Sequence, residues 1–105
     1  MSQSASQFLE SLVGREIRTV TGRPNKILRV DGDWVVVATT KSPRGQKVPV
    51  AWVQEALDRL LTDRAVEISV ASVRYRSAFI GAVLSQLPNT EVDRSNSPPH
   101  IRLIG

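Results

Sequence analysis

Three stretches of the chain repeat apolar residues at helical spacing. The first predicts a helix from Ser4 to Val13, with Ser4 and Gln7 spaced as a capping box and Gly14 as its end. The second is the clearest amphipathic pattern in the sequence, and it consists of Val53, Ala56, Leu57, Leu60 and Leu61. The third consists of Phe79, Ile80, Val83, Leu84 and Leu87 and ends at Pro88. The pattern therefore predicts three helices.

Between the first two helices the pattern is typical of β-strands. Runs rich in β-branched and aromatic residues at 17–20, 27–30 and 34–40 are separated by turn-forming segments, which predicts an antiparallel meander. The segment 41–47 is another turn-rich divider, before a short extended stretch at 48–50. Val66 and Ile68 predict one further short strand. We expect an α+β fold, with three helices packed on one face of a small antiparallel sheet.

The end of the chain differs in composition from the rest. The 105-residue length fits one hydrophobic core, and we assign residues 1–92 to a single α+β domain. Residues 93–105 resemble a linker, because Pro98 and Pro99 follow small polar residues. The stretch 100–104 is compatible with either a last strand or the beginning of a further segment.

Targeting and redox signals are missing from the sequence. The first seven residues lack the basic and apolar regions of a signal peptide, and no uncharged run is long enough to span a bilayer. The chain has 0 cysteines, which fits a reducing compartment. We therefore expect a cytoplasmic protein with no membrane partner.

Positive charge is concentrated in one segment. The net charge is +4, from 14 Lys and Arg against 10 Asp and Glu. Residues 15–47 hold eight of the bases and three of the acids, whereas residues 48–105 hold six of each. A mild excess of base also serves solubility, but its segregation favours a phosphate-bearing partner.

Three basic clusters are candidates for nucleic-acid contact. The loop 41–47 places three cations at a hairpin tip, the segment 23–26 adds two cations and an amide, and the segment 74–77 precedes the third helix, whose N-terminus favours an anion. The predicted DNA-binding residues are Arg23, Asn25, Lys26, Lys41, Ser42, Arg44, Gln46, Lys47, Arg74, Tyr75, Arg76 and Ser77. The alternatives are a solvated loop for the first cluster and a simple helix start for the last. Trp34 and Trp52 are expected in or at the edge of the core, and only secondarily as base-stacking platforms.

The residues that most catalysis requires are sparse. His100 is the one histidine, it lies in the tail, and no cluster has the spacing of metal ligands or of a phosphate-binding glycine loop. Asp31-Gly32-Asp33 is interpreted as a tight turn, in preference to a carboxylate pair. We expect no catalytic residues, no metal and no cofactor.

Two stretches, 48–61 and 76–88, resemble the amino-terminal modules of actinobacterial HNH-type, modification-dependent restriction endonucleases of the McrA-like group. In that family, such a module precedes other readers of modified DNA and a carboxy-terminal nuclease. The nuclease motif depends on histidines that this chain lacks, so the resemblance implies recognition or assembly and transfers no catalytic residue. The helices, strand and basic hairpin would also suit a winged-helix-like module, although their order departs from the usual one.

The expected function is a non-catalytic DNA-binding module that recognises double-stranded DNA, including DNA modified as 5-methylcytosine, for a restriction endonuclease. RNA remains an open alternative to DNA. A second hypothesis is a protein-interaction or dimerisation domain, with a homodimer or other domains of a larger enzyme as partner. A third, a small enzyme or small-molecule binder, has no residue in its favour.

Overall fold

A computed structural model of the chain describes residues 4–69, 76–95 and 98–104. Its elements, in chain order, are α1 (Ala5–Ser11), β1 (Glu16–Arg18), β2 (Pro24–Asp31), β3 (Trp34–Thr39), β4 (Gln46–Pro49), α2 (Val50–Asp63), β5 (Ala65–Glu67), α3 (Ser77–Leu84), β6 (Thr90–Asp93) and β7 (His100–Leu103). The α+β class is thus confirmed. The described residues form two small antiparallel sheets where one was expected, and this arrangement does not establish a winged-helix fold.

Helix α1 begins as the sequence predicts. The Ser4 hydroxyl oxygen accepts a hydrogen bond from the Gln7 backbone N–H at 3.3 Å, which caps an N–H group that the helix itself cannot pair. The Gln54 side-chain oxygen accepts from the Ala5 N–H at 2.8 Å and so links α1 to α2. Leu9 is completely buried. The apolar stripe of α1 is therefore buried within the protein.

The first sheet is the predicted meander extended by one strand, in the order β1-β2-β3-β4. Successive residues of a strand point to opposite faces, and burial follows that rule. Ile27 and Val37 form a cross-strand pair in the core, whereas Lys26 and Arg29 are exposed. A β-bulge lies between Ile27 and Arg29, where one extra residue shifts the pairing with β3. We call the buried side of this sheet its inner face and the other side its outer face.

The second sheet contains the residues that the sequence analysis assigned to a tail. Its order is β5-β7-β6, so β7 pairs with a strand on each side. Ile101, in the middle of β7, is completely buried. The Leu103 N–H also donates to the Arg64 carbonyl at 2.8 Å. Residues 100–103, which the sequence analysis placed in the linker-like tail with a last strand as the alternative, therefore form a paired strand.

The start of that connection is held by side-chain contacts. The Ser95 hydroxyl and the Ser95 backbone N–H both donate to the Asp93 carboxylate, which lowers the pKa of this carboxyl below its ordinary value. Arg94 donates to the Val20 carbonyl at 3.2 Å. The second sheet is thereby joined to the loop that leads into β2.

The two sheets share one hydrophobic core. A single cluster of buried side chains includes residues from Ala5 to Ile101, and helix α2 contributes Val53, Ala56, Leu57 and Leu60 to it. Helix α3 is almost entirely buried and contributes Phe79 and Ile80. None of the helices in the described ranges has the length and hydropathy needed to cross a membrane.

Candidate nucleic-acid interface

The register of the first sheet places two carboxamide side chains on its inner face. Asn25 pairs with Thr39, and Gln46 pairs with Val37. Directly paired residues share a face of the sheet, as do residues two apart on one strand. Asn25 and Gln46 therefore lie on the same side as the core residue Val37, towards the end of the sheet where β2 begins and β3 ends.

The hairpin loop between β3 and β4 is tightly built. The backbones of Thr39 and Ser42 exchange hydrogen bonds of 3.1 and 3.2 Å, and the Thr39 hydroxyl also accepts from the Ser42 N–H at 3.0 Å. The Gln46 amide nitrogen donates to the Ser42 hydroxyl at 2.7 Å. These contacts fix the turn that carries Lys41 beside the inner face.

The loop between β1 and β2 is held in a similar way. The Thr19 N–H donates to the Arg23 carbonyl at 2.9 Å, and the Arg23 N–H donates to the Thr19 hydroxyl at 3.0 Å. Gly22 has a φ of +87°, a conformation that side-chain-bearing residues adopt only under strain. The loop presents the exposed Arg23 guanidinium next to Asn25.

These two loops and the start of α3 enclose a cavity of about 470 Å³, which we call the Asn25 pocket. Its apolar lining includes Val37, Val48 and Phe79. Its polar lining consists of Thr19, Arg23, Asn25, Thr39, Thr40, Lys41, Gln46, Arg76 and Ser77, with Pro24 and Ala78 completing the wall. The volume lies within the range of roughly 300–1,000 Å³ that is typical of ligand sites.

Half of the predicted DNA-binding residues meet at this pocket. They come from three separate segments of the chain and are Arg23, Asn25, Lys41, Gln46, Arg76 and Ser77. The structure therefore brings the two hairpin loops and the start of α3 to one place, which sequence reasoning left open.

The other predicted residues lie elsewhere. Lys26 and Lys47 occupy the outer face, because each is next in sequence to a carboxamide residue of the inner face. Ser42 supports the loop from within, and Arg44 is exposed near its tip. Arg74 and Tyr75 lie outside the described residues.

The outer face forms a second basic surface. Arg29 and Lys47 flank Val36 from the two neighbouring strands, and Lys26 lies further along β2. Trp34 is 43% exposed at the far end of β3. This position differs from the expected place in or at the edge of the core, whereas Trp52 does pack against the core.

The cations of the basic segment are available to a partner. All eight Lys and Arg side chains between residues 15 and 47 are exposed. Arg18 forms a salt bridge to Glu16 at 3.4 Å and also donates to the Gly22 carbonyl. The other seven have no side-chain partner among the described residues, and they are Arg15, Arg23, Lys26, Arg29, Lys41, Arg44 and Lys47. These seven cations can therefore bind anions without first breaking an ion pair.

Sequence reasoning missed the walls of the pocket. Phe79 and Val37 were assigned to a helix stripe and a strand, and each does belong to its element. Nothing in the local pattern indicates that the start of α3 lines the same pocket as the end of β3. Thr19 and Thr39 also gave no signal, because threonine in a strand or turn is ordinary.

The described residues show no group of three or more side chains suited to holding a metal ion. His100 lies half-buried in β7, in the second sheet. Comparison of the chain with known protein families, with curated proteins and with solved structures found no match. The function is therefore argued from the geometry and the charge of this chain.

Proposed function

We propose that this chain is a non-catalytic module that binds double-stranded DNA and serves recognition in a modification-dependent restriction endonuclease. One observation carries the proposal: unpaired, exposed cations from separate loops converge on the rim of a pocket that is large enough for a ligand. Arg23 and Lys41 bind the phosphate backbone. The amides of Asn25 and Gln46, which line the same pocket, supply the groups that can recognise a base.

Three further features support this reading. The excess of positive charge is confined to residues 15–47, the segment that forms the first sheet and its loops. The outer face adds Lys26, Arg29 and Lys47 to the positive field around the site, and such a field raises the rate of association with DNA. The stretches 48–61 and 76–88 resemble modules of the McrA-like restriction endonucleases, in which readers of modified DNA precede a nuclease.

Replacing the two rim cations with alanine tests the proposal. We expect wild-type protein to bind a labelled duplex with an affinity that falls steeply with salt, and the Arg23→Ala/Lys41→Ala variant to bind more weakly by on the order of tenfold. Each lost phosphate contact lowers the slope of log affinity against log salt by about 0.9, so the slope should fall by about 1.8. Fluorescence anisotropy over a salt series measures both quantities.

A matched control separates the pocket rim from general electrostatics. The Lys26→Ala/Lys47→Ala variant loses the same charge, but it loses it on the outer face. We expect its slope to change less than that of the rim variant. Wild-type protein that does not bind at low salt, or a larger loss in the outer-face variant, would overturn the proposal. Unmodified and cytosine-modified duplexes, measured side by side, show whether modification is read.

A protein-interaction role has one observation in its favour, the exposed Trp34 on the outer face. Exposed aromatic residues are enriched in interfaces between proteins. Helix α1 gives this role no support, because it packs against α2 and β2 within the same chain. Sedimentation analysis of wild-type protein and of Trp34→Ala distinguishes the two functions, since a dimer held through Trp34 would dissociate in the variant and would respond little to salt.

A further inference from the structure

We propose that the Asn25 pocket accepts a single nucleobase extruded from the duplex, and that it prefers a base with an exocyclic amino group, which cytosine, adenine and guanine carry and thymine lacks. This inference rests on the proposed DNA binding and identifies what the pocket holds. Proteins that inspect or modify one base commonly rotate it out of the stack into a fitted pocket, where its hydrogen-bonding edge can be recognised.

The shape and lining of the pocket fit a planar heterocycle. Its volume of about 470 Å³ is large enough for one base and lies within the range of sites that bind small ligands. Val37 and Val48 from the sheet and Phe79 from α3 supply apolar surface, and Phe79 is only 4% exposed. An apolar lining of this kind suits the uncharged ring of a base.

The strongest evidence is the side chain of Asn25 itself. Asn25 is 6% exposed, yet its amide nitrogen makes only a long contact of 3.5 Å to the Arg23 carbonyl. Its oxygen accepts no hydrogen bond from any residue that the structure describes. No sealed side-chain polar atom in the described ranges lacks a partner, so this oxygen opens onto the pocket that Asn25 lines. A side chain that is more than nine-tenths buried and turns an unpaired oxygen to a pocket is placed to accept a hydrogen bond from a ligand.

Gln46 adds a second acceptor beside the first. Its amide nitrogen is engaged by the Ser42 hydroxyl, which leaves its oxygen for the pocket. Two carboxamide oxygens that face the pocket favour a ligand that donates N–H groups. Cytosine, adenine and guanine each carry an exocyclic amino group, whereas thymine has none. The donor requirement therefore selects amino-bearing bases.

The rim explains how a base could reach the pocket while still attached to DNA. Arg23 and Lys41 lie on the pocket lining and are exposed to solvent. Phosphates on either side of an extruded nucleotide would face these two cations, so the backbone is held while the base occupies the interior.

Binding to duplexes that differ at one central position tests the inference. A cytosine or adenine opposite an abasic site costs less to extrude than a paired one. We expect wild-type protein to bind such a duplex roughly tenfold more tightly than the fully paired duplex, and thymine opposite an abasic site to give no such gain. Fluorescence of 2-aminopurine placed at the same position should rise on binding, because the base leaves the stack.

Two variants locate the effect, and a third controls for it. Ala78→Trp fills the pocket from an exposed position of α3, and Asn25→Ala removes the unpaired carboxamide. Both should abolish the preference for the amino-bearing base and the fluorescence rise. Ala51→Trp places the same bulk on an exposed position of α2 and should behave as wild type. Thermal melts check that each variant is folded.

The outcomes separate this inference from the proposed function. Salt-sensitive binding without any preference or fluorescence rise, or a preference that survives in a folded Ala78→Trp variant, overturns base extrusion and leaves DNA binding in place. Failure of wild-type protein to bind any duplex at low salt overturns both.

Discussion

Replacement of Ile101 with alanine should lower the free energy of unfolding by about 2–5 kcal/mol. Ile101 is completely buried in the central strand of the second sheet, where its neighbours pair with β5 on one side and β6 on the other. Removing three carbon atoms there loses the free energy gained by burying them. It also leaves a cavity, because a strand paired on both sides cannot move to fill it. Urea denaturation followed by tryptophan fluorescence gives the free energy directly.

Ile104 provides the matched control for this substitution. It lies three residues further along the chain and is 48% exposed. Ile104→Ala removes the same atoms and should change stability by less than about 0.5 kcal/mol. If Ile101→Ala changed the stability as little as Ile104→Ala does, residues 100–103 would not belong to the folded core. That result would support the linker that the sequence predicts.

The position of Ile101 shows where the sequence pattern stops being informative. Helix α2 could be predicted because five apolar residues repeat over two turns, a signal that is local and long. Strand β7 has only four residues, and its partners lie far back in the sequence, at β5, and across a Pro-rich connection, at β6. Composition alone marked that connection as a linker, because prolines between short paired strands and prolines in a free tail look alike.

The candidate site was predictable in part for a similar reason. The basic loops were identified because charge and turn residues are local features of the sequence. The division of the polar residues between the two faces of the sheet follows from the alternation of side chains along a strand. This alternation places Asn25 on the inner face and Lys26 on the outer face. The bulge after Ile27 and the approach of α3 to the sheet have no local signature, so the pocket itself could not be foreseen.

Replacement of Gly45 with alanine should destabilise the protein by about 2–4 kcal/mol, from backbone strain together with overpacking. Gly45 has a φ of +103°, which disfavours any side chain. A Cβ there would lie 2.6 Å from a methyl carbon of Val36 and 3.1 Å from one of Leu28. Val36 is buried in the middle of β3, and its branched side chain has little freedom to move aside.

Gly22→Ala separates the cost of backbone strain from the cost of the steric clash with Val36 and Leu28. Gly22 has a φ of +87°, but a Cβ there meets nothing within 4 Å, so this variant should lose only about 1–2 kcal/mol. The difference between the two variants, measured by chemical denaturation, reports the contact of the loop with Val36 and Leu28. Equal losses of stability in the two variants would show that the loop moves away from Val36 and Leu28 without a cost in free energy.

The same substitution connects the packing of this loop to the pocket. Gly45 directly precedes Gln46, and the turn that it completes carries Lys41 on the pocket rim. A loop lifted from the outer face by a methyl group would shift both residues relative to Asn25. Gly45→Ala should therefore also weaken duplex binding under conditions in which the protein remains folded. Anisotropy measured beside wild-type protein checks this, because unchanged affinity in a destabilised Gly45→Ala protein would mean that DNA binding does not depend on the position of this loop.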